Sequence, residues 1–230
     1  MRNVTRKILC LWAAICLCIP IFPTPTASAA ELHSGYPTYW HNSANGDVRI
    51  YWENYNITAS AYPNIYNNLT AGNNYWDNGT YTNCNMTCIK TTSTVSTSAT
   101  NGRVYHIIPS QEWWNDNTGA TPCQVTGRAV NFDTNLVQIT AANVSTTTRR
   151  IYISHLYYPP DTSNYTNLNY GTVNYRCTIA HEIGHALGFG HMLSGETVQY
   201  GESIMSEGKK SLTALNPHYD IPNFNAKYGN

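Results

Sequence analysis

The chain has 230 residues with 13 basic and 13 acidic side chains, so it carries no formal net charge, and charged residues make up only 11% of it against 12% aromatic. With no basic surplus to neutralise phosphates, nucleic acid is excluded as an expected partner. A chain of this size suits one moderate domain or two closely packed lobes.

Arg2, Arg6 and Lys7 open the chain, Ile8 to Phe22 is mostly apolar, and Ala27 and Ala29 stand at the small-residue spacing that signal peptidase reads. Residues 1–29 are expected to be a secretory signal, too short for a comfortable membrane span. Residues 30–230 are then one secreted, extracellular domain with no membrane contact after cleavage, and it is read as a monomer. Without the three leader cations, 10 basic residues remain against 13 acidic, a net of −3. Four cysteines remain as well: Cys84, Cys88, Cys123 and Cys177. An even number in a secreted chain reads as two disulfides with three possible connectivities. The proposed pairing is Cys123 with Cys177 and Cys84 with Cys88.

Residues 31–46 read as a polar lead-in. Val48, Ile50 and Trp52 alternate on one face of a strand over 47–53. Tyr62, Ile65, Tyr66, Leu69, Tyr75 and Trp76 recur near helical spacing, which predicts one helix over 59–77, interrupted by Pro63 and Gly72. A polar stretch over 80–102 holds the close cysteine pair. Strands are expected over 103–109, 128–132, 136–141 and 149–158, the last being the clearest. A polar loop follows over 159–171, and then a helix over 173–188. Six Asn-x-Ser/Thr sequons after the leader, at Asn56, Asn68, Asn78, Asn85, Asn143 and Asn164, read as chance products of an Asn- and Thr-rich chain. The paired tryptophans of "EWWND" (112–116) raise a sugar-binding reading, but Tyr and Trp equally fill cores.

The chemistry concentrates in "HEIGHALGFGH", His181 to His191. On a helix, residues four apart lie nearly above one another, so His181 and His185 project from one face and can grip one ion. Glu182 is one step round, displaced from the ligand direction but within reach of a water held by that ion. A straight helix would carry His191 away from the pair. Gly188 and Gly190 allow a sharp turn that returns it. Three histidines leave a zinc ion an open position for water, which the ion activates and Glu182 can deprotonate as general base. His33, His41, His106, His155 and His218 read as structural or exposed, and no calcium or second zinc site is indicated.

This stretch resembles the H-E-x-x-H-x-x-G-x-x-H motif of the metzincin zinc endopeptidases. Met205 in "GESIMSEG" is similarly placed to the methionine of their Met-turn, and the order from "RRIYIS" to the end of the chain is most like that of matrixin-type, bacterial-like members. The resemblance is firm over 149–229. It implies an α+β zincin fold: a twisted mixed sheet with two helices in an upper lobe (about 47–190) and a small lower lobe (about 191–230). Asp220 would cap a closing helix, with Pro222 in its first turn and Tyr228 at its end. It also implies one catalytic Zn²⁺ on His181, His185 and His191, Glu182 as the catalytic base, and a protein or peptide substrate lying extended against an edge strand. The chain departs from some members in having Glu207 where they place a metal-reaching tyrosine, and it shows no cysteine-switch segment. The alternatives are a secreted zinc-containing binding or adhesive module without activity, and a zinc amidase acting on cell-wall crosslinks.

Overall fold

The computed structural model describes residues 38–40, 48–77, 86–91, 102–118, 126–140, 149–160, 175–191, 203–206 and 220–228. Seven strands lie among them: β1 (Thr38–Trp40), β2 (Val48–Asn54), β3 (Met86–Lys90), β4 (Arg103–Ile107), β5 (Arg128–Phe132), β6 (Arg149–Ile151) and β7 (Ile153–Tyr157). The helices are α1 (Pro63–Tyr66), α2 (Leu69–Asn73), α3 (Gln111–Thr118), α4 (Tyr175–Ala186) and α5 (Asp220–Tyr228). The class is α+β, as expected.

The main sheet runs β3-β2-β4-β7-β5, parallel except for the antiparallel pairing of β5 with β7. Its inner face carries Val48, Ile50 and Trp52 of β2, Val104 and His106 of β4, and Ser154 and Leu156 of β7, all buried. Against this face packs α4, whose Ile179, Ala180 and Ile183 are buried too. Burial of apolar area on this scale is the dominant favourable term of folding. Among the described residues no helix is long and apolar enough to cross a membrane.

Several expected boundaries shift, each for a physical reason. The single helix over 59–77 is two short helices. Pro63 is accommodated at the first turn of α1, where its missing N–H costs nothing. Asn68 Nδ2 donates to the Asn64 carbonyl at 2.8 Å, a side-chain bond that competes with the helical ladder where α1 gives way to α2. Gly72 of α2 is buried, and a Cβ there would strike Ile179 of α4, so the glycine lets the two helices approach this closely. The strand over 149–158 is two strands: Tyr152 separates β6, which pairs with β1, from β7, which pairs with β4 and β5. The lead-in and the polar cysteine stretch each supply a strand, β1 and β3, which their polarity concealed. "EWWND" forms α3. Its Trp114 is fully buried and Trp113 packs against Tyr157, ring centroids 4.1 Å apart and planes tilted by 34°, so Trp114 is a core residue rather than a sugar platform.

Where a strand over 136–141 was expected, the described residues 136–140 instead complete a tight turn and make one isolated bridge, Phe132 to Gln138. Asp133 dictates this. Its carboxylate Oδ1 accepts the N–H groups of Asn135 (2.9 Å) and Val137 (3.0 Å), which curls the chain before a ladder can form. Leu136 lies at φ 60, among the described residues the one non-glycine in the left-handed region. Such a placement costs on the order of 1–3 kcal/mol.

Candidate metal centre

The helix α4 carries His181, Glu182 and His185 in one turn and then stops abruptly. Gly188 sits at φ 80, and the Gly188 N–H donates to His185 O (2.9 Å) while the Phe189 N–H donates to Gly184 O (2.9 Å). This is the glycine-dependent ending that satisfies the last helical carbonyls and reverses the chain. Phe189 then stacks on Trp76, centroids 5.3 Å apart and rings 17° from parallel, which anchors the reversed segment in the core. His191 is thereby returned to the helix, as its spacing predicts.

The three histidines meet at their Nε2 atoms. The separations are 3.1 Å between His181 and His185, 3.0 Å between His185 and His191, and 3.1 Å between His191 and His181. The far side of two of the rings is fixed by carbonyls. His181 Nδ1 donates to Ile204 O at 2.7 Å, and His185 Nδ1 donates to Phe189 O at 2.7 Å. In its neutral form each of these rings spends its proton outward and presents a lone pair at Nε2. Two lone pairs facing each other at 3.1 Å repel, and a third nitrogen equally close to both cannot serve them with a single proton. A cation at the centre resolves the arrangement. Nitrogens at these separations suit an ion held at about 2.0–2.1 Å, and outward N–H to carbonyl bonds are the usual way to orient histidine ligands. The chain's own residues thus fit a metal ion at this point.

Met205 lies below the site. A Cβ on Gly184 would fall directly on Met205 Sδ and close to the Trp76 ring, so the glycine of "HEIGH" makes room for the thioether. Ile204, whose carbonyl orients His181, belongs to the same short segment. That segment is tied to α5: Asp220 accepts from Ser203 Oγ at 2.5 Å, Tyr75 Oη at 3.1 Å and the Ile204 N–H at 3.3 Å. Asp220 was expected to cap its own helix. It begins α5, but its carboxylate holds the methionine turn in place. Pro222 and Tyr228 occupy their expected ends of α5, and Tyr228 Oη donates to Leu187 O at 2.8 Å.

Glu182 is 4% exposed and faces the start of β5. A Cβ on Gly127 would lie 2.6 Å from Glu182 Oε1 and 2.7 Å from its Cγ, so the carboxylate lies against bare backbone there. Farther along β5, Asn131 Nδ2 donates to His185 O (2.9 Å) and Ser154 Oγ donates to Asn131 Oδ1 (2.6 Å). Strand β5 is therefore held against α4 at both ends of the histidine pair. Gly127, Asn131, the carbonyls of Ile204 and Phe189, and the part Asp220 plays at the methionine turn escaped the sequence reading. Gly127, Asn131, Asp220 and Ile204 act through long-range contacts that leave no spacing signal, and Phe189, four residues from His185, acts through its main chain, which side-chain spacing does not report.

The other histidines separate cleanly. His106 is fully buried on β4, its Nδ1 2.8 Å from Tyr158 Oη and its Nε2 3.0 Å from Asn73 Nδ2, and burial lowers its pKa to about 3. His155 lies on the outer face of the sheet, edge-on to Tyr105. His33, His41 and His218 lie outside the described residues, as do Cys84 and Cys123, on which both proposed disulfide pairings depend.

Neither a protein-family model nor a curated protein sequence matches the chain. Among solved structures it is similar to that of myroilysin, with 14% identity over 84% of this chain and 96% of that one, at a TM-score of 0.34. A likeness of that size leaves function to be argued from the residues themselves.

Proposed function

We propose that the chain is a secreted, zinc-dependent endopeptidase of the metzincin type, with His181, His185 and His191 as metal ligands and Glu182 as the catalytic base. The observation that carries this reading is the convergence of three Nε2 atoms within 3.0–3.1 Å beside a buried carboxylate. Bound zinc supplies a Lewis acid that polarises a carbonyl and lowers the pKa of water. Glu182 takes the proton of the attacking water and returns it to the leaving amine, and its burial keeps that proton from bulk solvent. The antiparallel edge strand β5 runs beside Glu182 and offers its backbone to an extended peptide, which strand addition holds without demanding a particular sequence. Ile204 O and Phe189 O keep two of the imidazoles in the lone-pair-inward tautomer. The leader at residues 1–29 supports an extracellular location.

Zinc content and cleavage of an unstructured protein such as casein test this together. Glu182→Gln should keep the fold and the zinc, because the histidines remain, yet lose at least about a hundredfold in kcat, the scale of a general acid–base group. A variant that cleaves as fast as the parent, or a parent that is active in excess chelator, sinks the assignment.

A further inference from the structure

The turn that follows β5 is inside out. Asp133 is 7% exposed, whereas Leu136 and Val137 are 58% and 47% exposed. It is also tightly braced, since the Asp133 N–H donates to Val137 O (3.0 Å) and Asp133 O accepts the Leu136 N–H (2.9 Å), in addition to the two bonds on the Asp133 carboxylate. Leu136 holds a left-handed backbone that asparagine or glycine adopts more easily. For stability alone a leucine is a poor choice at this position, being strained while burying little of its side chain.

Among the described residues, the turn is also where the open edge of β5 ends. The Tyr152 N–H donates to Phe132 O, so Phe132, Val130 and Arg128 direct their main-chain groups toward β7. On the opposite side the Ile139 N–H donates to Asn131 O at 2.7 Å, so the returning chain covers the edge from Asn131 onward. The edge left uncovered by this return runs from Gly127, against Glu182, to Val130. At about 3.3 Å per residue, an added peptide strand would travel roughly 13 Å from the Glu182 carboxylate before meeting the turn.

We infer that Leu136 and Val137 form a specificity contact for the substrate, taking an apolar side chain three to five residues from the scissile bond. This rests on the peptidase reading above. The test uses ten-residue peptides that differ only by Leu or Ser at positions three to five residues on either side of the cleaved bond. The parent should favour Leu on one side by about five- to tenfold in kcat/KM, less than a closed apolar pocket yields. The double variant Leu136→Asn, Val137→Thr keeps residues that tolerate the turn and the extended backbone. It should bring that ratio close to one, with zinc content and cleavage of a four-residue peptide unchanged. A variant that keeps the preference overturns the proposal. So does an active parent that is indifferent to Leu at every position, and so does a variant altered only in self-association, which would mark the turn as a contact between copies of the chain. A zinc-loaded parent that cleaves no peptide removes the peptidase reading and this proposal together, whereas indifference in an active enzyme removes only this one.

Discussion

Two groups of histidines show opposite uses of the same side chain. His106 is fully buried, has protein partners at both ring nitrogens and is kept neutral by its surroundings. His181, His185 and His191 are half-buried and turn their Nε2 atoms toward one another. The difference lies less in burial than in where the lone pairs point. At His106 polar side chains meet the ring nitrogens. At the triad the protein meets the outer nitrogens of His181 and His185 with carbonyls and gathers the inner ones at a single point, where a cation fits.

The largest expected effect breaks that comparison at its centre. His185→Ala should abolish both metal binding and hydrolysis, because two imidazoles no longer hold the ion against water. His106→Gln should leave metal content intact. If His106→Gln stripped the metal while His185→Ala retained it, the two histidines would have been assigned the wrong way round. Equal metal content in all three proteins would place the ion elsewhere.

The next effect sharpens the part played by β5. Gly127→Ala puts a methyl group where the Glu182 carboxylate lies, and the flexible end of the glutamate must move. A misplacement near 1 Å can cost on the order of a hundredfold in rate. kcat should therefore fall by about ten- to a hundredfold, with zinc content, Tm and KM close to those of the parent. A large fall in Tm instead would mean that the strand, not the carboxylate, gave way.

Smaller effects belong to His106. His106→Gln leaves Tyr158 Oη or Asn73 imperfectly matched in the core and should cost about 1–3 kcal/mol in urea denaturation. The same residue gives a pH signature. Its pKa falls from 6.5 in the unfolded chain to about 3 in the fold, with burial as the cause. The unfolded chain thus takes up a proton that the folded one refuses, so this contribution to stability is complete above about pH 6.5 and is lost as the pH drops toward 3. In metal-stripped protein, where the triad contributes alike to both forms, the parent should lose more stability than His106→Gln between pH 7 and pH 5. Parallel losses would show that His106 is protonated in the folded state.

The residues that were legible in advance share one property: their geometry is local. Helical periodicity places His181 and His185 on one face with Glu182 beside them, and a glycine three positions after His185 permits the reversal that returns His191. The closing helix from Asp220 to Tyr228, with Pro222 in its first turn, was instead expected from the resemblance to the matrixin-type members. The strand of Val48, Ile50 and Trp52 announced itself by alternation. Polar strands such as β3 have no such alternation, and the leucine turn after β5 overrode an apolar run because Asp133 captured the backbone first.

The sequence by itself therefore determined which three histidines meet, that Glu182 lies one step round from them, and the helix ending that gathers them, since these depend on spacings of a few residues and on glycine's freedom at positive φ. Only the tertiary structure decided which carbonyls orient the imidazoles, that Asp220 steadies the methionine turn, and that Gly127 gives Glu182 its place beside an edge strand. Apart from the Phe189 carbonyl on His185, four residues away, those contacts join positions 16 to 55 residues apart, and their partners are chosen by how helices and strands pack rather than by any pattern along the chain.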